Sequence, residues 1–370
     1  MTLRLGTVFS GIGAIEQALK RMNMDHLTMF ACDNGGIELS IDYENELKKI
    51  KKMISIQEKR DYVKKLYSDN SRKTNFIEKS YLENYKVHNH NFFYDIKLLD
   101  GKDFYKNIDL YVGGSPCQSF SAIGQKAGLE DARGTLFYDF VRVLNEIQPK
   151  VFIYENVYGL YRHDKGRTWK IIQEILDSLN YHYKFEILDS RDYGIPQGRR
   201  RVFVVGFKDL DKANKFNFPQ KKDLEFTMQD FLLENAKAGA FVSENSEIKI
   251  IPNNGEDVDP KYYLSEKLLK YCLSPGTKNF MHNDAKIDLP IARALLSTMG
   301  NHHRSSVNNY VTTNGKVRSL TVREAHRLMG FPDDYNIVVS KAQAYKQAGN
   351  SIVVDVLIAI MKEINKVMEW

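Results

Sequence analysis

Three short segments carry side chains whose types suit covalent chemistry. In Gly113-Gly114-Ser115-Pro116-Cys117-Gln118-Ser119-Phe120-Ser121 a thiol sits in a glycine- and serine-rich loop, directly after an apolar run at 108–113 that reads as a buried strand. Ligand-binding and catalytic groups of open α/β sheets gather at that end of the strands. A lone cysteine is more often a small buried hydrophobe than a reagent, so this thiol counts only through its company. Glu155-Asn156-Val157 closes the next strand, and Gln197-Gly198-Arg199-Arg200-Arg201 follows a further strand signal. Adjacent strand ends would bring Cys117, Glu155 and an arginine into one pocket.

A fourth segment, Phe9-Ser10-Gly11-Ile12-Gly13-Ala14, joins a strand to a helix. Its glycines permit a tight turn and let a nucleoside cofactor approach the backbone. Such a loop serves NAD, FAD or S-adenosylmethionine equally well, or a structural turn alone. Asp33 closes the second strand, where a carboxylate commonly accepts hydrogen bonds from ribose hydroxyls, and Asp95-Ile96 end the third, a polar and an apolar contact that could flank an adenine ring.

The elements that must position these residues follow from periodicity. Leu3, Leu5, Thr7 and Phe9 alternate, predicting a strand over 2–9, and Ile15, Ala18, Leu19 and Met22 fall at helical spacing. Further apolar runs at 27–32, 108–113, 151–154, 184–188 and 202–207 are separated by helical segments such as 134–148 and 168–180. This is the pattern of an α/β protein with a doubly wound, mostly parallel sheet covered on both faces. Between about 36 and 90 the composition turns to Lys, Glu, Tyr and Asn, read as charged, surface-lying helices inserted between strands, a solvated insertion rather than a binding face. Beyond Phe207, Pro219, Pro252, Asn253-Asn254-Gly255, Pro260 and Ser274-Pro275-Gly276 suggest a separate, loop-rich lobe. From Ser351 a long amphipathic helix is expected to run almost to Trp370.

Composition bounds the partners. With 43% hydrophobic and 27% charged residues in 370, the chain is an ordinary globular sequence. The excess of 53 Lys+Arg over 47 Asp+Glu suits a polyanionic partner without requiring one. Cys32, Cys117 and Cys272, with no CxxC pair, exclude a disulfide framework and a four-thiolate zinc site; no metal is expected, and a reducing cytoplasm fits best. The first residues lack a basic segment followed by an unbroken apolar one, and no stretch approaches the roughly 18 apolar residues of a membrane span. The expectation is a monomer that is neither secreted nor membrane-embedded.

Taken in order, FSGIGA, GGSPCQSFS, RGTLFYDFVRV, ENV, QGRRR, RSLTVRE and QAGNS resemble the motifs of the DNA cytosine-5 methyltransferase family, of the bacterial restriction-modification type. The resemblance spans residues 7–207 and resumes at about 318–358. It implies an S-adenosylmethionine-dependent, Rossmann-like catalytic and cofactor-binding domain at 1–207, a smaller inserted target-recognition domain at 208–324, and a return to the catalytic domain at 325–370. The implied reaction moves a methyl group from S-adenosyl-L-methionine, leaving S-adenosyl-L-homocysteine, to carbon 5 of a flipped-out cytosine in a specific double-stranded DNA sequence. Carbon 5 is a poor nucleophile, so the Cys117 thiolate would first add to carbon 6. Glu155, as a carboxylic acid of raised pKa, would protonate or hydrogen-bond N3. Arg199 and Arg201 would hold the base oxygen and Glu155, while Arg200, on the opposite face of an extended segment, would serve structure or phosphate binding. Enzymes that methylate exocyclic amines carry a Pro-Pro-aromatic run where this chain has Ser-Pro-Cys, so carbon is the expected acceptor. The loop 118–131, with Gly124 and Gly128 as hinges, resembles the family's mobile loop over the flipped base.

For the cofactor the resemblance implies Phe9, Ser10, Gly11, Ile12, Gly13, Asp33, Asp95, Ile96, Pro116, Asn350 and Ser351. Asn34 stands where the family often has an apolar or aromatic residue, so stacking on adenine falls to Phe9. Asn350 reads equally as an N-cap of the last helix. For DNA the candidates are Gln118, Ser119 and Arg200, with Asn301, His302, His303 and Arg304 reaching the major groove or merely contacting phosphate. Arg318 to Glu324 reads as structural support for the smaller lobe. A cognate restriction endonuclease in the same prokaryotic cytoplasm is the expected partner. Three other readings remain: methylation of tRNA cytosine, a non-catalytic DNA-binding role, and an NAD-dependent oxidoreductase, which leaves Cys117 and the arginines unexplained.

Overall fold

A computed structural model describes residues 2–116, 136–242, 246–252, 258–274, 286–301 and 303–370. Cys117, Gln118, Ser119, Gly124, Gly128 and His302 lie outside the described residues. The strands are β1 (Leu3–Val8), β2 (His26–Cys32), β3 (Phe92–Phe93), β4 (Leu110–Gly113), β5 (Val151–Val157), β6 (His182–Asp189), β7 (Gln197–Gly198), β8 (Arg200–Phe207), β9 (Ala236–Val242), β10 (Glu247–Pro252), β11 (Ala292–Arg293), β12 (Tyr310–Thr313) and β13 (Lys316–Ser319). The helices used below are α1 (Ala14–Arg21), α2 (Tyr43–Ile50), α3 (Ile56–Asn70), α4 (Phe76–Asn84), α5 (Leu136–Ile147), α6 (Tyr158–Arg162), α7 (Arg167–Asp177), α8 (Leu210–Lys215), α9 (Glu266–Leu273), α10 (Val322–Arg327), α11 (Lys341–Asn350) and α12 (Val354–Met368).

The main sheet has seven strands in the order β3-β2-β1-β4-β5-β8-β6. β1 to β5 pair in parallel, as the unbroken apolar runs predict, whereas β8 runs antiparallel to both β5 and β6. Successive side chains of one strand bury on opposite faces: Val151 and Ile153 join the apolar cluster of α1 and α12, and Phe152 and Tyr154 join that of α5 and α7. Because both faces are covered, register and strand order are over-determined by burial.

Two expectations change. The 36–90 insertion forms α2, α3 and α4, but these do not simply lie on the surface. Ile50, Val63, Tyr67 and Tyr81 are buried, and buried Lys59 donates to Asp100 at 2.8 Å and to Asp103 at 2.7 Å. Its polar composition hid a face that packs on the sheet edge, because Tyr and Lys carry apolar bodies as well as polar tips. The C-terminal segment also differs at one point: Asn350 ends α11 instead of capping the last helix, which begins at Val354 after Val353.

The stretch 208–324 contributes two hairpins, β9–β10 and β12–β13, and the strand β11 that pairs in parallel with β7. Phe216, Met228, Phe231, Leu295, Val311 and Leu320 belong to the same apolar cluster as α1 and α12. Arg318 is fully buried between Glu234, at 2.6 Å, and Glu324, at 2.8 Å. Glu324 also closes a capping box with Thr321 at the start of α10, so the RSLTVRE charges are structural.

The chain's first and last helices are joined by a second buried pair. Arg21 donates to both carboxylate oxygens of Asp355, at 2.9 and 2.7 Å, and to the carbonyls of Gly330 and Ser246 at 3.0 Å. Asp355 stands in the first turn of α12, where the helix dipole also favours a carboxylate. Removing one partner of such a pair strands a buried charge, so Arg21→Met is expected to lower unfolding free energy by about 3–5 kcal/mol in urea titrations, and Arg21→Met with Asp355→Leu to recover much of that loss. Equal stability of the single and double variants would contradict this account.

Candidate active site

The carboxyl ends of the parallel strands form one edge, and the residues singled out from sequence line up along it. Phe9 to Gly13 follow β1, Asp33 follows β2, Asp95 follows β3, Gly114 follows β4, and Glu155 lies near the end of β5. A pocket at this edge is lined by Phe9, Ser10, Gly11, Gly113, Gly114, Glu155, Asn350 and Ser351, among others. A larger open groove, lined by residues including Asp177, His182, Lys184 and Asn214, lies at the amino end of β6, away from these groups.

Glu155 is pressed against the loop that leads to Cys117. A methyl group built on Gly114 would meet the Glu155 Oε2 at 2.8 Å and its carbonyl at 2.9 Å, so only glycine fits there. Asn156, buried, donates to the Ser115 carbonyl at 2.9 Å and to the Tyr154 hydroxyl at 2.8 Å, while Ser115 Oγ and Tyr154 Oη lie 2.7 Å apart. The Asn156 Oδ1 accepts from the Val157 N–H at 2.9 Å. This network holds the backbone of Ser115, two residues before Cys117, and sequence reading gave Asn156 no role of its own. Pro116 is the last described residue before that cysteine, and it is exposed.

The antiparallel β8 decides which arginine meets the acid. Its first residues lie at the carboxyl edge, with Arg201 opposite Val157, and Arg201 Nε approaches Glu155 Oε1 at 3.0 Å. Burial pushes the Glu155 pKa up, opposed first by Arg201 and then by Arg199. The result is a carboxyl with one guanidinium partner and a side chain 12% exposed. Arg199 is placed differently from the expectation that it holds the base. Its guanidinium is buried and donates to the carbonyls of Leu295 at 2.8 Å, Gly349 at 2.8 Å and Ser351 at 2.9 Å, stitching the QAGNS segment to the strand edge. Burial, and then Arg201 beside it, lower its pKa to about 9, so it stays cationic at neutral pH. Arg200, itself exposed, points away, its guanidinium 4.8 Å from the centre of the half-buried Tyr158 ring.

The glycine loop is shaped by left-handed backbone: φ is +52° at Phe9, +53° at Gly11 and +78° at Gly13. A Cβ on Gly11 would meet only the Phe9 carbonyl, at 3.9 Å, so the pocket side of this residue is open for a ligand. Ser10 Oγ instead binds its own scaffold, at 2.7 Å from Thr7 Oγ1 and 2.9 Å from the Cys32 N–H. Ile12 and Ile96 are core residues, 1% and 4% exposed, so their side chains do not line this pocket. Asp33 accepts from the Gly11 N–H at 2.9 Å and the Gly35 N–H at 2.8 Å, and Asp95 accepts from the Lys97 N–H at 2.9 Å and the Tyr67 hydroxyl at 2.7 Å. Burial raises both pKa values. Each oxygen of Asp33 keeps a lone pair for a further donor, whereas Asp95 has Tyr43 as an additional partner.

Of the residues named for base reading, Asn301 is exposed, His303 Nδ1 lies 3.4 Å from Tyr310 Oη, and Arg304 donates to the Tyr271 carbonyl at 3.0 Å and to Ser274 Oγ at 2.9 Å. Arg304 also covers the Tyr271 ring at 4.0 Å, a contact that anchors it at the end of α9. Among the described residues no cluster of His, Cys, Asp or Glu could hold a metal ion, and no helix is long and apolar enough to cross a membrane.

This fold is shared with methyltransferases: Dnmt2 of S. pombe aligns over 100% of both chains with a TM-score of 0.66 at 18% identity, and a DNA modification methyltransferase encoded within an E. coli prophage over 100% of both with 0.61 at 19%. The profile of the C-5 cytosine-specific DNA methylase family matches residues 3–366. The Type II methyltransferase M.NgoBI of Neisseria gonorrhoeae is 37% identical over 278 residues, 73% of this chain and 78% of the relative. M.HhaI of Haemophilus parahaemolyticus is 34% identical over 249 residues, 67% of this chain and 73% of the relative. The chain belongs to the C-5 cytosine-specific DNA methylase family, and its enzyme class is DNA cytosine-5 methyltransferase.

Two outcomes test this geometry. Asn156→Ala is expected to lower kcat for methyl transfer on the order of 100-fold, because it frees the loop before Cys117 by the ångström or so that such alignment tolerates poorly. An unaltered kcat in a folded variant would show that the network does not position the loop. The second concerns Glu16, fully buried in α1 behind the glycine loop, where Tyr81 donates to Oε1 and Oε2 has no partner among the described residues. Desolvation pushes its pKa up to about 7 from 4.5. The folded state thus binds a proton that the unfolded state releases, so stability is full below about pH 4.5 and falls as pH rises towards 7. Glu16→Gln is expected to remove roughly 3 kcal/mol of that fall, read from unfolding free energies at pH 5 and pH 8.

Proposed function

We propose that this enzyme uses S-adenosylmethionine to methylate carbon 5 of a cytosine flipped out of a specific duplex DNA sequence, through a covalent adduct with Cys117. The observation that carries the reading is the contact between Glu155 and Gly114, with Asn156 holding Ser115, because it sets a partly desolvated acid against the loop that bears the thiol. In this reading the Cys117 thiolate adds to carbon 6 of the base while Glu155 hydrogen-bonds or protonates N3, which spreads the developing negative charge. Arg201 fixes the Glu155 carboxyl and carries a donor to the base oxygen. The cofactor supplies an electrophilic methyl group and leaves as S-adenosylhomocysteine. Loss of the carbon 5 proton and departure of Cys117 restore the aromatic base.

The residues present suit that cofactor. Phe9 and the open Gly11 face the pocket, Asn350 and Ser351 close it from the C-terminal side, and Asp33 and Asp95 offer acceptors at the ends of neighbouring strands. Ile12, Ile96 and Ser10 contribute through the scaffold that sets these groups. Gln118, Ser119 and Arg200 are proposed to meet DNA near the flipped base. The segment 208–324 is proposed as the target-recognition lobe, between residues 1–207 and 325–370 of the catalytic lobe, with the duplex in the cleft and Asn301, His303 and Arg304 on the DNA side. The Type II names of the bacterial relatives support a role as the modification enzyme of a restriction-modification system. A cognate endonuclease, a monomeric state and a prokaryotic cytoplasm complete the proposal.

A duplex carrying 5-fluorocytosine should trap the protein as a covalent complex in the presence of cofactor, and Cys117→Ser should form none while still binding the duplex. Glu155→Gln is expected to slow methyl transfer 100- to 10,000-fold. Bisulfite sequencing of DNA from expressing cells should show methylated cytosine in one sequence context; methylation of tRNA with untouched DNA would replace the substrate proposed here.

A further inference from the structure

The insertion 36–90 lies outside the motifs that carry the family resemblance, yet the structure seats it directly behind the groups assigned to the cofactor. Tyr67 of α3, 3% exposed, donates to Asp95 Oδ2 at 2.7 Å. Asn75, which caps α4 by accepting from the N–H groups of Ile77 at 3.0 Å and Glu78 at 3.1 Å, turns its amide the other way and donates to the Asp33 carbonyl at 2.8 Å. The same asparagine fills the space beside Gly35, where a Cβ would come within 2.5 Å of its Oδ1. Gly35 and Gly36 both have left-handed φ, +66° and +76°, so the turn after Asp33 has little intrinsic preference for one shape and takes it from its neighbour. Tyr85, just beyond α4, packs on Gly13 so closely that a Cβ there would meet its ring at 2.2 Å. Gln347, three residues before Asn350, binds α4 at both ends of its amide, donating to the Phe76 carbonyl and accepting from Ser80 Oγ, each at 2.9 Å.

We propose that the insertion is the back wall of the cofactor site, with Tyr67 and Asn75 as positioning residues that set the Asp95 carboxylate and the turn carrying Asp33. The proposal rests on the S-adenosylmethionine reading above. Its physical content is preorganisation. The Tyr67 hydroxyl and the Lys97 N–H each bind one oxygen of Asp95, and Tyr43 is a further hydrogen-bond partner, which together hold the carboxylate in one orientation. Asn75 does the same for Asp33 through the backbone. Ordering these groups before binding removes a cost that a loose loop would charge against affinity. A plain solvated insertion would leave Asp95 without its phenol and the Gly35-Gly36 turn without a wall.

The test is calorimetric titration of S-adenosylmethionine and of S-adenosylhomocysteine into the full chain, alongside steady-state kinetics on duplex DNA. Tyr67→Phe keeps the ring and removes one hydroxyl; it is expected to weaken both cofactor affinities about tenfold, the worth of one hydrogen bond to a charged group. Its kcat at saturating cofactor and its KM for duplex should stay within about twofold. Asn75→Asp keeps the acceptor that caps α4 but loses the donor to Asp33, so cofactor affinity should fall; the buried charge also lowers the thermal midpoint, and affinity is read at a temperature where the variant is folded. Wild-type affinity in a folded Tyr67→Phe and Asn75→Asp, or a loss of kcat and duplex affinity in parallel with that of cofactor, would overturn the positioning role while leaving the cofactor reading intact. A wild-type chain that binds neither compound would sink the cofactor reading itself, and this proposal with it.

Discussion

Glu155 and Gly114 meet where two parallel strands end, and the contact leaves no room for a side chain on Gly114. Water is largely excluded there, so the carboxyl pays for its burial in a raised pKa, and Arg201 is the partner that keeps the cost bearable. Burial favours the protonated form of that acid, so it keeps its proton to higher pH than a solvent-exposed glutamate does. Asn156 ties the loop from below, and the strands on either side fix the spacing of this contact.

The antiparallel direction of β8 is the second constraint. A parallel strand in that place would present its carboxyl end at the edge and send the Gln197 to Arg201 segment to the far side of the sheet. Running backwards between β5 and β6, β8 delivers its first residues beside Glu155 instead. Within that segment the work is divided. Arg201 reaches the acid, Arg200 turns out over Tyr158, and Arg199 turns in to hold the carbonyls of Leu295, Gly349 and Ser351. Arg199 therefore shapes the pocket by fastening the returning C-terminal segment, with Gly349 so close to the backbone of Leu296 and Ser297 that a Cβ there would lie 2.3 Å from a carbonyl carbon.

That return closes the molecule. α12 packs on α1, Arg21 and Asp355 lock the two together, and Gln347 fastens α4 of the insertion to the segment that lines the pocket. Residues from the beginning, the middle and the end of the chain thus share one wall, and the apolar cluster beneath extends without a break into the 208–324 stretch. The supports of the site thus come from several different elements, which couples the loops along the edge to one another.

By itself the sequence determined the sheet and the identity of the chemistry-bearing groups. Alternating and unbroken apolar runs locate β1, β2, β4 and β5, with β4 two residues shorter at its start and β5 three residues longer at its end than the apolar run, because a strand covered on both faces is apolar along its buried length. The order of FSGIGA, Pro116-Cys117, Glu155-Asn156-Val157 and the arginine cluster was enough for the family, which the match over residues 3–366 bears out. What it left to tertiary structure was everything set by contacts between distant residues. Strand direction in β8, the choice of Arg201 over Arg199 as the partner of Glu155, and the buried face of the insertion all depend on neighbours outside the local stretch of chain. Local periodicity reports which way a side chain leans from its own backbone; only packing reports what it meets there, and for charged and phenolic groups that partner decides between surface and site.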